Sequence, residues 1–325
     1  MPKRYRVGID VGGTKIAFGL YDAHMNEIAS TRVPSDITQL PEVMLKSMVY
    51  RMRALAKGAG IPFDNIAGVG IAMPSHIDYE QGLVVNSSNL PLWHNVRARD
   101  ILSAKLGMPV WLDNDANVAS WAEFRMGAGR GARHMLYLTL STGIGGSIII
   151  NGEIYRGDHG AAGEFGHILV SDQYGFPCGC GNVGCVESIC GGLHLAQYVV
   201  HCMEQGQSSI IAELAGGAEL ITAHHIKAAN DMGDPLAAQA IRHCAEYLGR
   251  MFASLYQAFN IKTIVYGGGL TNLGPDLTDR MVERFRHYMP LSRNYPVNFM
   301  PAQLGENTGV MGAALLVSDD GGHIR

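Results

Sequence analysis

The chain has 325 residues, with 25 Lys and Arg against 29 Asp and Glu, a net charge of -4 and six cysteines. That length exceeds the usual size of a single core, so two domains are expected. The near-balanced charge, with no run of five or more like charges, and the lack of any apolar segment near the roughly 18 residues of a bilayer span, argue against nucleic acid and membranes as partners.

Within the first 34 residues YRVGIDVG, KIAFGLYD and EIASTRVP read as three successive strands, with Gly12-Gly13-Thr14 and the Asp22 to Asn26 stretch as turns. The spacing of Leu40, Val43, Met44, Met48, Met52 and Leu55 predicts a helix from about Thr38 to Lys57, ended by Gly58 and Gly60. A buried strand, IAGVGIAM, follows, then a short helix from about Arg97 to Leu106 closed by Gly107, a strand PVWLDND and a helix ANVASWAEFRMG. The Gly-rich GAGRGAR at 127 to 133 lies near a change of pattern, after which HMLYLTLSTGIGGSIIINGEI repeats the strand, Gly-rich turn, strand order of the N-terminus. PLAAQAIRHCAEYLGRMFASLYQAF is the clearest helix, with Asp234 as N-cap, Pro235 at its first position and an apolar stripe from Leu236 to Phe259. A strand KTIVYGGG and a helix VMGAALLV close the chain, and two α/β lobes with a cleft between them are the simplest assembly.

Several stretches carry chemistry. In IDVGGTK a carboxylate, Asp10, ends a strand before a Gly-Gly-Thr turn whose N–H groups can face phosphate oxygens, while the Asp can hold Mg²⁺ through water; a Gly-rich hairpin without a ligand is the alternative. STGIGG at 141 to 146 has the same character, and two such turns in matching places would grip a triphosphate from both sides. LDNDAN ends a strand where a helix begins. There Asp115 or Asn114 can cap the helix, or Asp115 can take a proton from an attacking alcohol while Asn114 holds the same substrate. GEFGH, Asn89 and Glu187 add the bidentate acceptors and donors that suit a polyol.

Cys178, Cys180 and Cys185 stand within PCGCGNVGCVES. The N-terminus meets Asp10 before any signal-length apolar run, so a cytoplasmic and reducing setting is expected, in which clustered thiols favour metal over disulfides. Three thiolates and one imidazole satisfy tetrahedral Zn²⁺, with His167 the nearest upstream histidine; buried or free thiols are the alternative. Cys190, Cys202 and Cys244 read as core residues.

Taken in order, DVGGTK, LDNDAN, STGIGG, GEFGH, CGCGNVGCVE and YGGG resemble the ROK family (repressors, open reading frames, kinases) over essentially the whole chain. The resemblance implies an α/β fold of two actin-like (RNase H-like) lobes: residues 1–115, with a final helix at about 308–325 packing back on them, and residues 116–307, which carry the zinc-binding loop and a dimerisation surface. It further implies an ATP-dependent sugar kinase acting on the 6-hydroxyl of a hexose, glucose first, with an N-acetylhexosamine, fructose, mannose or allose as alternatives. Asp115 would be the catalytic base, and Ser75, Asn89, Asn114, Glu164, His167 and Glu187 would hold the sugar. Asp10, Gly12, Gly13, Thr14 and Lys15 would form one phosphate loop, Thr142, Gly143, Gly145 and Gly146 the other, with Gly267, Gly268 and Gly269 near the nucleoside. His167, Cys178, Cys180 and Cys185 would bind structural zinc, Mg²⁺ would accompany ATP, and a homodimer is typical. One departure is local: many family kinases have Pro-Gly where this chain has Pro74-Ser75-His76. A sugar-responsive repressor would need a helix-turn-helix ahead of the first motif, and only nine residues precede Asp10, so the expectation is the kinase.

Overall fold

The computed structural model describes residues 4–87, 89–172, 175–290 and 294–318. Its elements run β1 (Tyr5–Val11), β2 (Lys15–Tyr21), β3 (Glu27–Pro34), α1 (Pro41–Gly58), β4 (Ile66–Met73), β5 (His76–Asp78), β6 (Leu83–Asn86), α2 (Ala98–Leu106), β7 (Val110–Asn114) and α3 (Asp115–Met126). They continue with β8 (Met135–Leu140), β9 (Ile144–Ile150), β10 (Glu153–Tyr155), α4 (Glu187–Cys190), α5 (Gly192–Glu204), α6 (Ile211–Ala215) and α7 (Ala223–Asp231). The last are α8 (Pro235–Phe259), β11 (Thr263–Gly267), α9 (Pro275–Tyr288), β12 (Asn298–Pro301) and α10 (Thr308–Leu315).

Two five-stranded sheets, ordered β3-β2-β1-β4-β7 and β10-β9-β8-β11-β12, share one plan: an antiparallel hairpin edge followed by parallel strands. Contacts divide the chain into a first unit of residues 1–133, 147–163 and 302–325 and a second of 134–146 and 164–301. The grouping puts α3, which the expected boundary after residue 115 assigns to the second lobe, in the first unit. The expected final helix is α10, which packs on β1, β4 and α3; the 319–325 part of that expectation lies outside the described residues.

Glycines make the seat of α10. A Cβ on Gly8 of β1 would collide with the Val310 carbonyl, and one on Gly70 of β4 with the Ala313 carbonyl. The helix therefore lies directly on the sheet backbone, a contact that no larger residue permits. Beneath the other face Phe18, Leu20, Met44, Leu45, Met48, Met52, Ile71 and Trp93 form the core of the first unit. In the second unit α8 is the axis, packed against α4, α5, α7 and α9. Its N-terminus follows the sequence reading: Asp234 accepts the Ala237 N–H at 2.9 Å, Pro235 opens the helix, and Asn260 ends it in the left-handed region at φ 50°.

Helix α1 departs from its expected register. It begins at Pro41, which takes the first helical position, and Leu40 before it is extended. Leu40 and Val43, expected on the core side, are 63% and 48% exposed, and Leu45 is buried in their place. Met44, Met48 and Met52 do face the core, so the stripe is right and its first turn is wrong. Helices α5, α7 and α9 and the β5–β6 hairpin were not anticipated. Among the described residues no helix is long and apolar enough to cross a membrane.

Gly70→Ala should destabilise the protein by about 1 to 3 kcal/mol through overpacking against α10. Gly58→Ala, where an added Cβ meets nothing within 4 Å, should be neutral or slightly stabilising in the same urea unfolding measurement. Equal effects at the two positions would contradict the close seat of α10.

Candidate functional site

The β7–α3 junction in the first unit changes direction within three residues. Asp113 ends the strand side chain inward, 1% exposed, and Asp115 opens the helix exposed. Asn114 between them caps the helix: its Oδ1 accepts the N–H groups of Ala116 at 2.8 Å and Asn117 at 3.3 Å, and its Nδ2 donates to the Ser75 carbonyl at 3.2 Å. Capping and presentation of Asp115 are thus one arrangement rather than alternatives. Ser75 is buried and meets Asn114 through its carbonyl, while its hydroxyl has no hydrogen bond among the described residues.

The first Gly-rich turn lies in the same unit. The Gly12 N–H donates to the Lys15 carbonyl at 2.8 Å, closing a turn with Thr14 and Lys15 exposed, and a Cβ placed at Gly13 would lie 3.9 Å from the Asn89 Cβ. Burial raises the Asp10 carboxyl above its ordinary range, against the opposing pull of Lys15 and Arg32. Gly309, in the first turn of α10, stands where a Cβ would lie 2.5 Å from Asp10 Oδ2, so that carboxylate faces the helix N-terminus.

The second unit holds the other candidates. Ser141 N–H donates to the Gly143 carbonyl at 2.9 Å, and the Gly192 N–H, at the start of α5, donates to the Ser141 carbonyl at 2.8 Å, so exposed Thr142 and half-buried Gly143 form a loop anchored by the helix. Gly268, at φ 96°, passes so near the Leu140 carbonyl that a Cβ there would collide with it. Glu187 Oε2 accepts the Ile144 N–H at 2.9 Å, and a Cβ on Gly143 would lie 2.5 Å from the same oxygen. The STGIGG glycines therefore also make room for the Glu187 carboxylate, a role the sequence reading missed.

The cysteine cluster is built by a short ladder. Leu169 pairs antiparallel with Cys185, flanked by hydrogen bonds from Val170 to Gly184 and from Val186 to Ile168. His167 and Glu187 stand just beyond the ladder, His167 at the end of a short 3-10 turn and Glu187 at the start of α4. The Cys178 N–H donates to the Asn182 carbonyl at 2.8 Å, turning the chain through Gly181 at φ 91° to bring Cys180 back. His167, Cys178, Cys180 and Cys185 offer donor atoms that all lie within 4.8 Å of one another, with 3.4 Å from Cys178 Sγ to His167 Nδ1 and 3.6 Å between the sulfurs of Cys180 and Cys185. A tetrahedral zinc with bonds of about 2.3 Å holds its sulfur ligands about 3.8 Å apart, so the donor set fits that ion. The Asn182 backbone N–H brings the Cys180 thiol down to about 7, and burial pushes Cys185 up to about 12. With Nδ1 toward the thiols, His167 Nε2 lies 3.8 Å from Glu164 Oε2. Cys190, Cys202 and Cys244 are buried core residues, as expected.

Asp113, Asn117, Arg156 and Tyr79 were also missed. They form a buried polar cluster beside Asn114, and the only sequence signal was a second acid in LDNDAN.

The ROK family profile matches residues 6–320. A glucokinase of Halalkalibacterium halodurans is 32% identical over 317 residues, covering 98% of this chain and 96% of its own. The fold matches a ROK hexokinase from Thermus thermophilus with a TM-score of 0.81 at 30% identity, covering 96% of this chain and 97% of that one. It also matches a ROK family glucokinase from Streptomyces griseus in complex with glucose and AMPPNP, with a TM-score of 0.78 at 32% identity over 96% and 98% of the two chains. The chain is a member of the ROK family.

Asn114→Ala removes the α3 cap and should cost about 1 kcal/mol in urea unfolding, whereas Asn114→Ser keeps a capping oxygen and should cost less. Equal losses for the two would show that the cap contributes nothing.

Proposed function

We propose that the protein is an ATP-dependent hexose kinase that transfers the γ-phosphoryl group of ATP to the 6-hydroxyl of glucose. The observation that carries this reading is the β7–α3 junction, which presents Asp115 exposed on a capped helix start in a chain that matches ROK sugar kinases along its whole length. In this reading Asp115 accepts the proton of the 6-hydroxyl as that oxygen bonds to the γ-phosphorus and the bond from the γ-phosphorus to the β,γ-bridging oxygen breaks, releasing ADP. Asn89, Asn114, Glu164, His167 and Glu187 bind and orient the sugar hydroxyls. The turn at Gly12 to Lys15 and the loop at Thr142 to Gly146 hold the phosphates, with Gly267 to Gly269 by the nucleoside.

Mg²⁺ bound with ATP supplies charge neutralisation, and Asp10 is the carboxylate suited to hold it. Zinc in the His167, Cys178, Cys180 and Cys185 set is structural: its four protein donors leave no open position. The reading includes the family's actin-like lobes, a homodimer and a cytoplasmic setting.

Asp115→Asn should lower kcat by about 10³-fold with the thermal unfolding midpoint unchanged, in a coupled ADP-release assay on glucose, N-acetylmannosamine, N-acetylglucosamine, fructose, mannose and allose. Near-normal turnover in the folded variant refutes the base assignment. A different preferred sugar would move the substrate and leave the chemistry standing. Metal analysis should give one zinc per chain, and its removal or Cys180→Ser should weaken glucose binding about tenfold and lower thermal stability together. Unchanged glucose affinity in verified zinc-free protein would separate the metal from the sugar site.

A further inference from the structure

Arg156 follows β10 and lies 43 residues beyond Asp113, with no motif around it. Its guanidinium nevertheless pairs closely with a carboxylate in the first unit's interior: Nε donates to Asp113 Oδ2 at 2.9 Å and Nη2 lies 2.7 Å from the same oxygen. The Arg156 side chain is 10% exposed and that of Asp113 2%. The guanidinium carbon stands 3.7 Å above the centre of the Tyr79 ring, so the cation is sandwiched between a carboxylate and an aromatic face. The other oxygen of Asp113 accepts the Asn114 N–H at 2.8 Å and Asn117 Nδ2 at 3.0 Å. One buried carboxylate therefore fixes the backbone at the residue before Asp115 and the side chain two residues after it.

Arg156 also begins a pinned segment. Its carbonyl accepts the Ala162 N–H at 3.0 Å, His76 Nε2 lies 2.8 Å from the His159 carbonyl, and Gly160, at φ 74°, passes against the Ile77 carbonyl where any Cβ would collide. The segment from 156 to 163 is thereby fastened to β5 and β7, and the next residue in the chain is Glu164.

We propose that Arg156 is a positioning residue for the Asn114–Asp115 turn, acting through Asp113, and that the same pair sets the start of the segment that carries Glu164; this rests on the kinase reading. The pair is oriented and not merely neutral. The guanidinium donates from Nε to the carboxylate oxygen, keeps its charge beside that oxygen at Nη2 and stacks flat on a ring; an ammonium keeps the charge but loses the planar stacking and the fixed direction of the donor. If Asp113 turns, the Asn114 N–H loses its acceptor and the helix start that presents Asp115 shifts with it. Displacements of about 1 Å at reacting groups cost about 10²-fold in rate.

The test compares Arg156→Lys, Arg156→Met and the double variant Asp113→Asn with Arg156→Met, by steady-state kinetics, thermal unfolding and circular dichroism on the full chain. Arg156→Met should lose about 10²-fold in kcat with KM for ATP within about twofold of the parent. Arg156→Lys should recover part of the loss. The double variant leaves no buried charge alone, so it should regain thermal stability without regaining kcat, and it keeps the test decisive if Arg156→Met does not fold. Recovery of kcat together with stability in the double variant overturns the proposal and leaves a purely structural pair, as does a lysine variant no better than the methionine one. A parent protein that folds but transfers no phosphoryl group to any sugar tested brings down the kinase reading itself, and the proposal with it.

Discussion

The structure of the first unit turns on one constraint: a strand end must bury one carboxylate and expose another two residues later. β7 meets it by ending between them: strand alternation would set residues two apart on one face, so it is the change from strand to helix at Asp115 that exposes this acid while Asp113 stays buried. Burying a charge is tolerable only with a partner and full hydrogen bonding. Asp113 has both, in Arg156 on one oxygen and in Asn114 and Asn117 on the other. The exposed acid inherits its position from the buried one, since the acceptor at Asp113 and the cap at Asn114 grip the backbone on either side of Asp115.

The second unit solves a similar problem with sulfur. Residues 168–170 and 184–186 form too short a ladder to hold its own register; a two-stranded piece of this size is marginal in water. The four donors of His167, Cys178, Cys180 and Cys185 close the loop that joins its strands. In the proposed zinc site the metal would fix that register, and with it the start of α4 that carries Glu187. Glu187 is held independently at its far end by the Ile144 N–H, so the carboxylate is set from two directions, the ladder and the Gly-rich turn.

Much of this was legible in the sequence because local patterns carried it. The Gly-Gly turns, the Asp234-Pro235 helix start and the spacing of the three cysteines each depend on residues within a few positions of one another. The α1 register failed at Leu40 and Val43 because apolar character alone does not say which side of a helix start faces the core once Pro41 sets where the helix begins. Arg156 and Tyr79 were invisible for another reason: Arg156 pairs with Asp113 across 43 positions and stacks on Tyr79 across 77, and a single arginine after a short strand carries no spacing signal. The hold on the loop before β5, from Asn114 on the Ser75 carbonyl and from Ser87 on the Pro74 carbonyl, was equally illegible, because both bonds join residues far apart in the chain.

α3 connects these local devices to the path of the chain. Its N-terminus carries Asp115, and near its other end Glu123, 0% exposed, accepts backbone N–H groups from Ala128, Gln303 and Leu304, each at 2.8 Å. Those donors flank the places where the chain leaves the first unit after residue 133 and rejoins it at 302. A carboxylate is suited to this because its two oxygens can take several N–H donors at once, and the absence of a Cβ at Gly127 lets the outgoing chain come close enough to reach it. The same helix that presents the exposed acid at one end thus holds, at the other, the segments beside two of the four places where the chain passes between units. A shift at Glu123 has a rigid path of about two helical turns to Asp115, along a rod whose capping residue is already held by Asp113.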